Sequence, residues 1–178
     1  RGIFYSERDK YSSGDVTNAI SHATCTTAYD LGASAIITVT QSGHTARMSS
    51  RFRPKIPIIG CTPCKSTYYH LSMSWGVVPV LVDFKDNTDD LFAHAVERSK
   101  EEGLISNGDL VIITAGVPIG ISGTTNLLKV HVVGDVLVSG TGINKLSQVG
   151  TLCVARNEQE ALNNFKQNDI LVIPQTSN

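Results

Sequence analysis

Apolar and polar positions follow two different periods along this chain, and the switches between them mark its elements. Between 16 and 31, Val16, Ala19, Ile20, Ala23, Thr27 and Leu31 recur at three- and four-residue steps. Asp15 precedes them as a candidate cap and Gly32 follows as a stop, so this stretch predicts a helix with that stripe as its packing face. The run AIITV at 35–39 is continuous and β-branched, as a buried strand reads. A helix follows, with Ala46, Met48 and Phe52 apolar and Arg47, Ser50 and Arg51 polar, until Pro54 breaks it. IPIIG at 56–60 reads as a second strand. Thr62 and Pro63 then open a helix reaching about Trp75, with proline where a missing N–H costs nothing.

GVVPVLV at 76–82 reads as a third strand, and its Pro79 predicts an edge position or a strand start. The NTDD stretch at 87–90 caps a helix to about Glu102, with Leu91, Phe92, Ala95 and Val96 on its apolar face and Gly103 at its end. DLVIIT at 109–114 is a fourth strand and NLLKVHVV at 126–133 a fifth, joined by the loop at 116–125. That loop leaves no room for a helix, so the last strand should run antiparallel. Strands alternating with helices imply βαβ units. The expected fold class is α/β: a three-layer α/β/α domain with a mostly parallel five-stranded sheet, its last strand antiparallel.

Around this domain the pattern changes. Residues 1–14 are polar and read as a lead-in from a preceding domain. Beyond 133, short strands at 136–138, 150–155 and 170–173, Gly-rich turns and one helix near 158–165 read as a partial β-rich unit. At 134–178 it is small for an independent core. The expected organisation is therefore 1–14, 15–133 and 134–178.

One turn carries candidate chemistry. Between the first strand and its helix lie Thr40, Gln41, Ser42, Gly43, His44 and Thr45. Gly43 permits a sharp turn, Ser42 is a candidate helix cap, and Thr40, Ser42 and Thr45 supply hydroxyls. The first N–H groups of a helix lack internal partners and its dipole favours negative charge, so the turn is a candidate phosphate site. It is neither a Walker A loop nor GxGxxG. A plain capped turn is the alternative reading. In open α/β sheets ligands sit beyond the carboxyl ends of strands, where this turn and the 116–125 loop both lie.

Composition narrows the classes. Of 178 residues, 41% are hydrophobic and 17% charged, which excludes a disordered chain. A net charge of −1 gives no reason to expect nucleic acid or an acidic membrane as partner. Apolar runs stay well short of the about 20 residues a spanning helix needs. No h-region opens the chain, and it begins with Arg1 rather than Met, so a processed or excised piece is expected. Four cysteines do not make a disulfide framework in a chain this size; a reduced, cytoplasmic protein is the expectation.

Three separated blocks carry a family resemblance: the stretch from 35 to 63 containing IITVTQSGHTARMSSRFRPKIPIIGCTP, then WGVVPVLV from 75, then GDLVIITAGVPIGISGTTNLLKV from 108. In this order and spacing they resemble the C-terminal domain of pyruvate kinase, over about 15–133. Residues 134–178 resemble the start of the phosphohistidine-like extension of some bacterial forms, stopping before that extension's Thr-Ser-His stretch. Ser21, His22 and Ala23 mimic that motif but lie in the wrong helix.

The resemblance implies an allosteric and subunit-contact domain of a glycolytic phosphotransferase that moves phosphate from phosphoenolpyruvate to ADP. Catalysis, with Mg2+ and K+, belongs to an upstream barrel, so this piece should carry no catalytic residues, metal or cofactor and be inactive alone. It implies that residues 40–45 grip an effector phosphate while the loop at 116–125, with Gly120, Ser122, Gly123 and Thr124, closes over the sugar. Partners implied are the parent chain's barrel, a sugar monophosphate or AMP, and further copies of the subunit.

In one segment the chain departs from forms activated by fructose 1,6-bisphosphate: DNTDDLFA at 86–93 is acidic and holds no Arg, Lys or Trp. A second phosphate would meet repulsion from Asp89 or Asp90 if they face it. A monophosphate, ribose 5-phosphate or AMP, is the better expectation. Arg47, Arg51 and Arg53 are candidate counter-charges, Arg47 and Arg51 sharing a helix face.

Two other readings remain. A free-standing phosphate-metabolite sensor has the same turn without the barrel. Cys61 and Cys64 form a CxxC after a strand and before a helix, the placement of a thiol oxidoreductase, though chance cysteines in a Thr–Pro turn look the same.

Overall fold

The structure, a computed structural model, describes residues 15–85, 87–117, 125–134 and 150–174. It divides into two compact units, 1–136 and 137–178.

In the first unit the elements run α1 (Val16–Asp30), β1 (Ala35–Val39), α2 (His44–Arg51), β2 (Ile58–Thr62), α3 (Lys65–Leu71), β3 (Val77–Leu81), α4 (Thr88–Glu101), β4 (Leu110–Ala115) and β5 (Leu127–Val132). The strands form one sheet in the order β3-β2-β1-β4-β5. β1 pairs in parallel with β2 and β4, and β2 with β3. β5 pairs antiparallel with β4, as the short fourth connection demands. This is the expected α/β class and sheet. Pro79 sits in the edge strand β3, where the N–H it lacks leaves no inner ladder bond unmade.

The alternation of side chains along each strand builds two cores. Ile37, Val39, Ile59, Cys61, Val80, Val111 and Ile113 pack on one face against Leu91, Phe92, Ala95 and Val96 of α4. Ile36, Ile58 and Ile112 pack on the other with Cys25 and Ala28 of α1, Ala46 of α2 and Leu71 of α3. The sheet is therefore the middle of three layers. Gly60 of β2 makes room for this second core: a Cβ there would stand 2.9 Å from Leu71 Cδ1 and 3.1 Å from Val77 Cγ1.

Several boundaries and one face differ from expectation. β2 lies two residues later than 56–60, and Thr62 ends it. Cys64, not Thr62, holds the cap position of α3, and the helix stops at Leu71, short of Trp75. α1 keeps its expected ends: Asp15 Oδ1 accepts from the Thr17 N–H (3.0 Å), and Gly32 turns at φ +63. Its packing face is not the expected stripe. The buried residues are Thr17, Ser21, Thr24, Cys25 and Ala28, while Val16 and Leu31 are 60% and 49% exposed. Small side chains let α1 approach α2 and the sheet closely, and the larger apolar residues turn outward.

In the second unit β6 (Leu152–Val154) and β7 (Ile170–Val172) pair in parallel around α5 (Glu158–Asn164). The Asn157 side chain caps α5 by accepting from the Glu160 N–H. The strand expected at 136–138 lies outside the described residues.

Candidate functional site

The turn at 40–45 leaves the carboxyl end of β1, a strand with neighbours on both sides of the sheet. Its shape follows from Gly43, which sits at φ +77, ψ 1 in the left-handed region. Glycine adopts this conformation without steric cost. Space is a second reason: a Cβ on Gly43 would meet Arg47 Nη1 at 3.0 Å, Thr67 Cγ2 at 3.1 Å and Leu71 Cδ2 at 3.2 Å.

Gly43, not Ser42, is the cap of α2, and no side chain caps this helix. The hydroxyl that shapes the turn belongs to Thr40, whose Oγ1 accepts from the Gly43 N–H (3.0 Å). Ser42 contributes its carbonyl, which accepts from Arg47 Nη1 (3.1 Å). The Gln41 carbonyl accepts from Thr67 Oγ1 of α3 (2.9 Å). Thr45, buried, shares a 2.8 Å hydroxyl–hydroxyl bond with Thr125, and the Thr125 N–H donates to Thr17 Oγ1 of α1 (3.3 Å). His44 is half-buried at the first helical position.

Neighbours on α1, α3 and the segment before β5 thus hold the turn's shape, while the first N–H groups of α2 have no partner within the helix. The first turn of α2 carries no acidic residue, and Arg47 folds back over the turn. Positive dipole end, hydroxyls and guanidinium all favour an anion. The other arginines go elsewhere: Arg51 Nη1 reaches Met48 Sδ (3.4 Å), and Arg53 lies 5.8 Å over the Trp75 ring.

Of the opposing loop, Gly120, Ser122, Gly123 and Thr124 lie outside the described residues. Its two ends are clamped by Asn126, whose Oδ1 accepts from the Val117 N–H (2.8 Å) while its Nδ2 donates to the Val117 carbonyl (2.6 Å). The acidic segment caps α4 on the opposite face of the sheet: Asn87 Oδ1 accepts from the Asp89 N–H, and Asp89 lies 3.8 Å from Lys129 Nζ of β5.

Thr17, Thr67 and Thr125 were not marked as site residues by any local motif. Only the tertiary fold brings them to the turn, from 108 residues away in the case of Thr17 and Thr125.

The CxxC does not behave as a pair. Cys61 is buried with its thiol 4.0 Å from the Ala95 carbonyl and 3.9 Å from Ser99 Oγ, and burial pushes it up to about 12. Cys64 sits at the α3 cap, 3.1 Å from Ser66 Oγ, and hydrogen bonds from Ser66 and Thr67 lower it to about 7. Both are free thiols. Among the described residues no three His, Cys, Asp or Glu side chains come together as a metal group. Among them, too, no helix is long and apolar enough to cross a membrane.

Sheet order and helical layers define an α/β domain, with the 40–45 turn at the carboxyl edge of its parallel strands. A family described as "Pyruvate kinase, alpha/beta domain" matches residues 18–131. Similar proteins include pyruvate kinases of Lactobacillus delbrueckii subsp. bulgaricus (42% identical, covering 94% of this chain and 28% of the relative) and Bacillus licheniformis (42%, covering 96% and 29%). A pyruvate kinase of Staphylococcus aureus strain USA300 is 44% identical over 87% of this chain and 26% of its own. The chain belongs to the pyruvate kinase family and carries its α/β domain. It spans less than a third of the length of these relatives.

Proposed function

We propose that this chain is the regulatory and subunit-contact domain of a pyruvate kinase, and that the turn at 40–45 binds the phosphate of a sugar monophosphate or AMP. The parent enzyme would transfer phosphate from phosphoenolpyruvate to ADP in glycolysis, in the cytoplasm, with Mg2+ and K+ held by its barrel. This domain alone would be inactive. The observation that carries the reading is the preformed turn: Gly43 left-handed, Thr40 closing it, Arg47 above it and no carboxylate in the first turn of α2.

Effector bound between this turn and the loop at 116–125 would bias the parent between conformations by its differential affinity for them. The segment at 86–93 offers no Arg, Lys or Trp for a second phosphate, which supports one phosphate over two. The subunit-contact part rests on α1, whose outward residues Val16, Tyr29 and Leu31 are exposed beside the edge strand β5 with its exposed Val130 and Val132.

Thermal-shift titration with ribose 5-phosphate, AMP, fructose 1,6-bisphosphate and inorganic phosphate tests the effector reading. A ligand at about 100 times its Kd should stabilise the fold by roughly 2.7 kcal/mol. The expected result is a shift with a monophosphate that Thr45→Ala removes. No shift with any of the four leaves the turn a capped turn and the domain an assembly piece.

A further inference from the structure

The turn at 40–45 is joined to α1 by a short polar chain. Thr45 Oγ1 and Thr125 Oγ1 are 2.8 Å apart, and the Thr125 N–H donates to Thr17 Oγ1 at 3.3 Å. All three residues are buried, at 5%, 1% and 3% exposure. Buried hydroxyls with fixed partners are worth more than exposed ones and costly to leave unpaired.

The rest of the α1–α2 seam is different. Ser21 Oγ and Thr24 Oγ1 of α1 and Ser49 Oγ of α2 are buried without a hydrogen-bond partner, as is Asn18 Oδ1. Such groups are rare in folded proteins, and each disfavours the arrangement that strands it. Along this seam α1 is therefore weakly held by its side-chain polar groups, apart from a long Cys25 Sγ contact to the Ser49 carbonyl (3.7 Å). The Thr17–Thr125–Thr45 chain ties its first turn to the site.

We propose that Thr17 and Thr125 are positioning residues that transmit the state of the 40–45 turn to the first turns of α1. Thr45 lies at the second helical position of α2, inside the turn's reach, so a change in the turn moves its hydroxyl. Thr125 carries that movement through its own hydroxyl and N–H to Thr17. The unpaired hydroxyls of Ser21, Thr24 and Ser49 give α1 a second packing near in free energy, one that pairs some of them. α1 is the first helix of the described residues. The ligand half of the proposal rests on the effector reading above; the mechanical half does not.

Hydrogen exchange on the 178-residue chain tests both halves, reading amides 16–24 against those of α4 on the opposite face of the sheet. In the first arm ribose 5-phosphate is the probe, with binding measured by calorimetry. It should slow exchange at 16–24 by about fivefold or more, the low end of usual site-to-site coupling. Thr17→Val should remove that slowing and weaken binding by the same factor, as linkage requires; Thr17→Ser, which keeps the acceptor, should restore both.

In the second arm no ligand is present. Gly43→Ala strains the turn without touching Thr17 or Thr125, and should speed exchange at 16–24 in the wild-type background but not in Thr17→Val. If ribose 5-phosphate does not bind, AMP replaces it as the probe; if neither binds, the effector reading fails and the second arm alone decides the coupling. Exchange at 16–24 that ignores Gly43→Ala, or responds equally in both backgrounds, overturns the proposal.

Discussion

Cys61 and Cys64 stand three positions apart, yet the fold gives them opposite chemistry. Cys61 belongs to β2 and faces the α4 side of the sheet, where burial disfavours its thiolate. Cys64 has left the strand and meets hydroxyl and backbone groups of α3 that favour the thiolate. Iodoacetamide should therefore modify Cys64 in the native chain with a midpoint near pH 7 while sparing Cys25 and Cys61, both pushed up to about 12. Ser66→Ala removes the largest cause and should move the midpoint back toward the usual 9.0.

A thiol lowered on folding stabilises the folded chain fully above its unfolded value, and this contribution is lost as pH falls through about 7. Rapid alkylation of both residues of the CxxC would revive the oxidoreductase reading. At this scale the turn was half legible. Hydroxyls, a glycine and a helix start are visible in the sequence, and the turn between strand and helix does lie there. Serine is a good cap by propensity, so Ser42 reads as the candidate cap. The fold uses Gly43 instead, since a left-handed residue there lets Thr40 close the turn from three positions back.

Helices and strands were legible where a single period dominates. β1, β4 and α4 read correctly because continuous β-branched runs and a capped amphipathic helix have few competing explanations. α1 misled for a physical reason: its apolar stripe is real, but the small residues Ser21, Thr24, Cys25 and Ala28 fill the narrower gap against α2 and the sheet. Periodicity reports which face is apolar, not which face a neighbour can approach most closely. Gly60 shows the same close approach between β2 and α3. Gly60→Ala would press a methyl onto Leu71 and Val77, so it should destabilise the domain by about 1–3 kcal/mol, the usual cost of overpacking. Urea unfolding measures it. Pairing the change with Leu71→Ala should recover part of the loss, because the clash is with that side chain; additive losses would place the strain in the backbone of β2 instead.

For the molecule as a whole, the face that α1 turns outward carries the remaining argument. An α/β domain with both sheet faces covered has no internal use for Val16, 60% exposed at the start of α1, or Leu31, 49% exposed just past its end. Beside them β5 is an edge strand of six residues with no proline, and Val130 and Val132 are exposed on it. Unprotected edges and exposed apolar stripes are surfaces that other chains cover. If a second copy does so, sedimentation equilibrium should show concentration-dependent self-association of this chain. Val16→Glu with Leu31→Glu should abolish it. Because both positions are exposed in the single chain, the double variant should keep its thermal midpoint when both proteins are compared under conditions where each is monomeric. A variant that stays associated would mean that the self-association uses another surface. A variant that loses its fold would mean that Val16 and Leu31 serve the core of this domain after all.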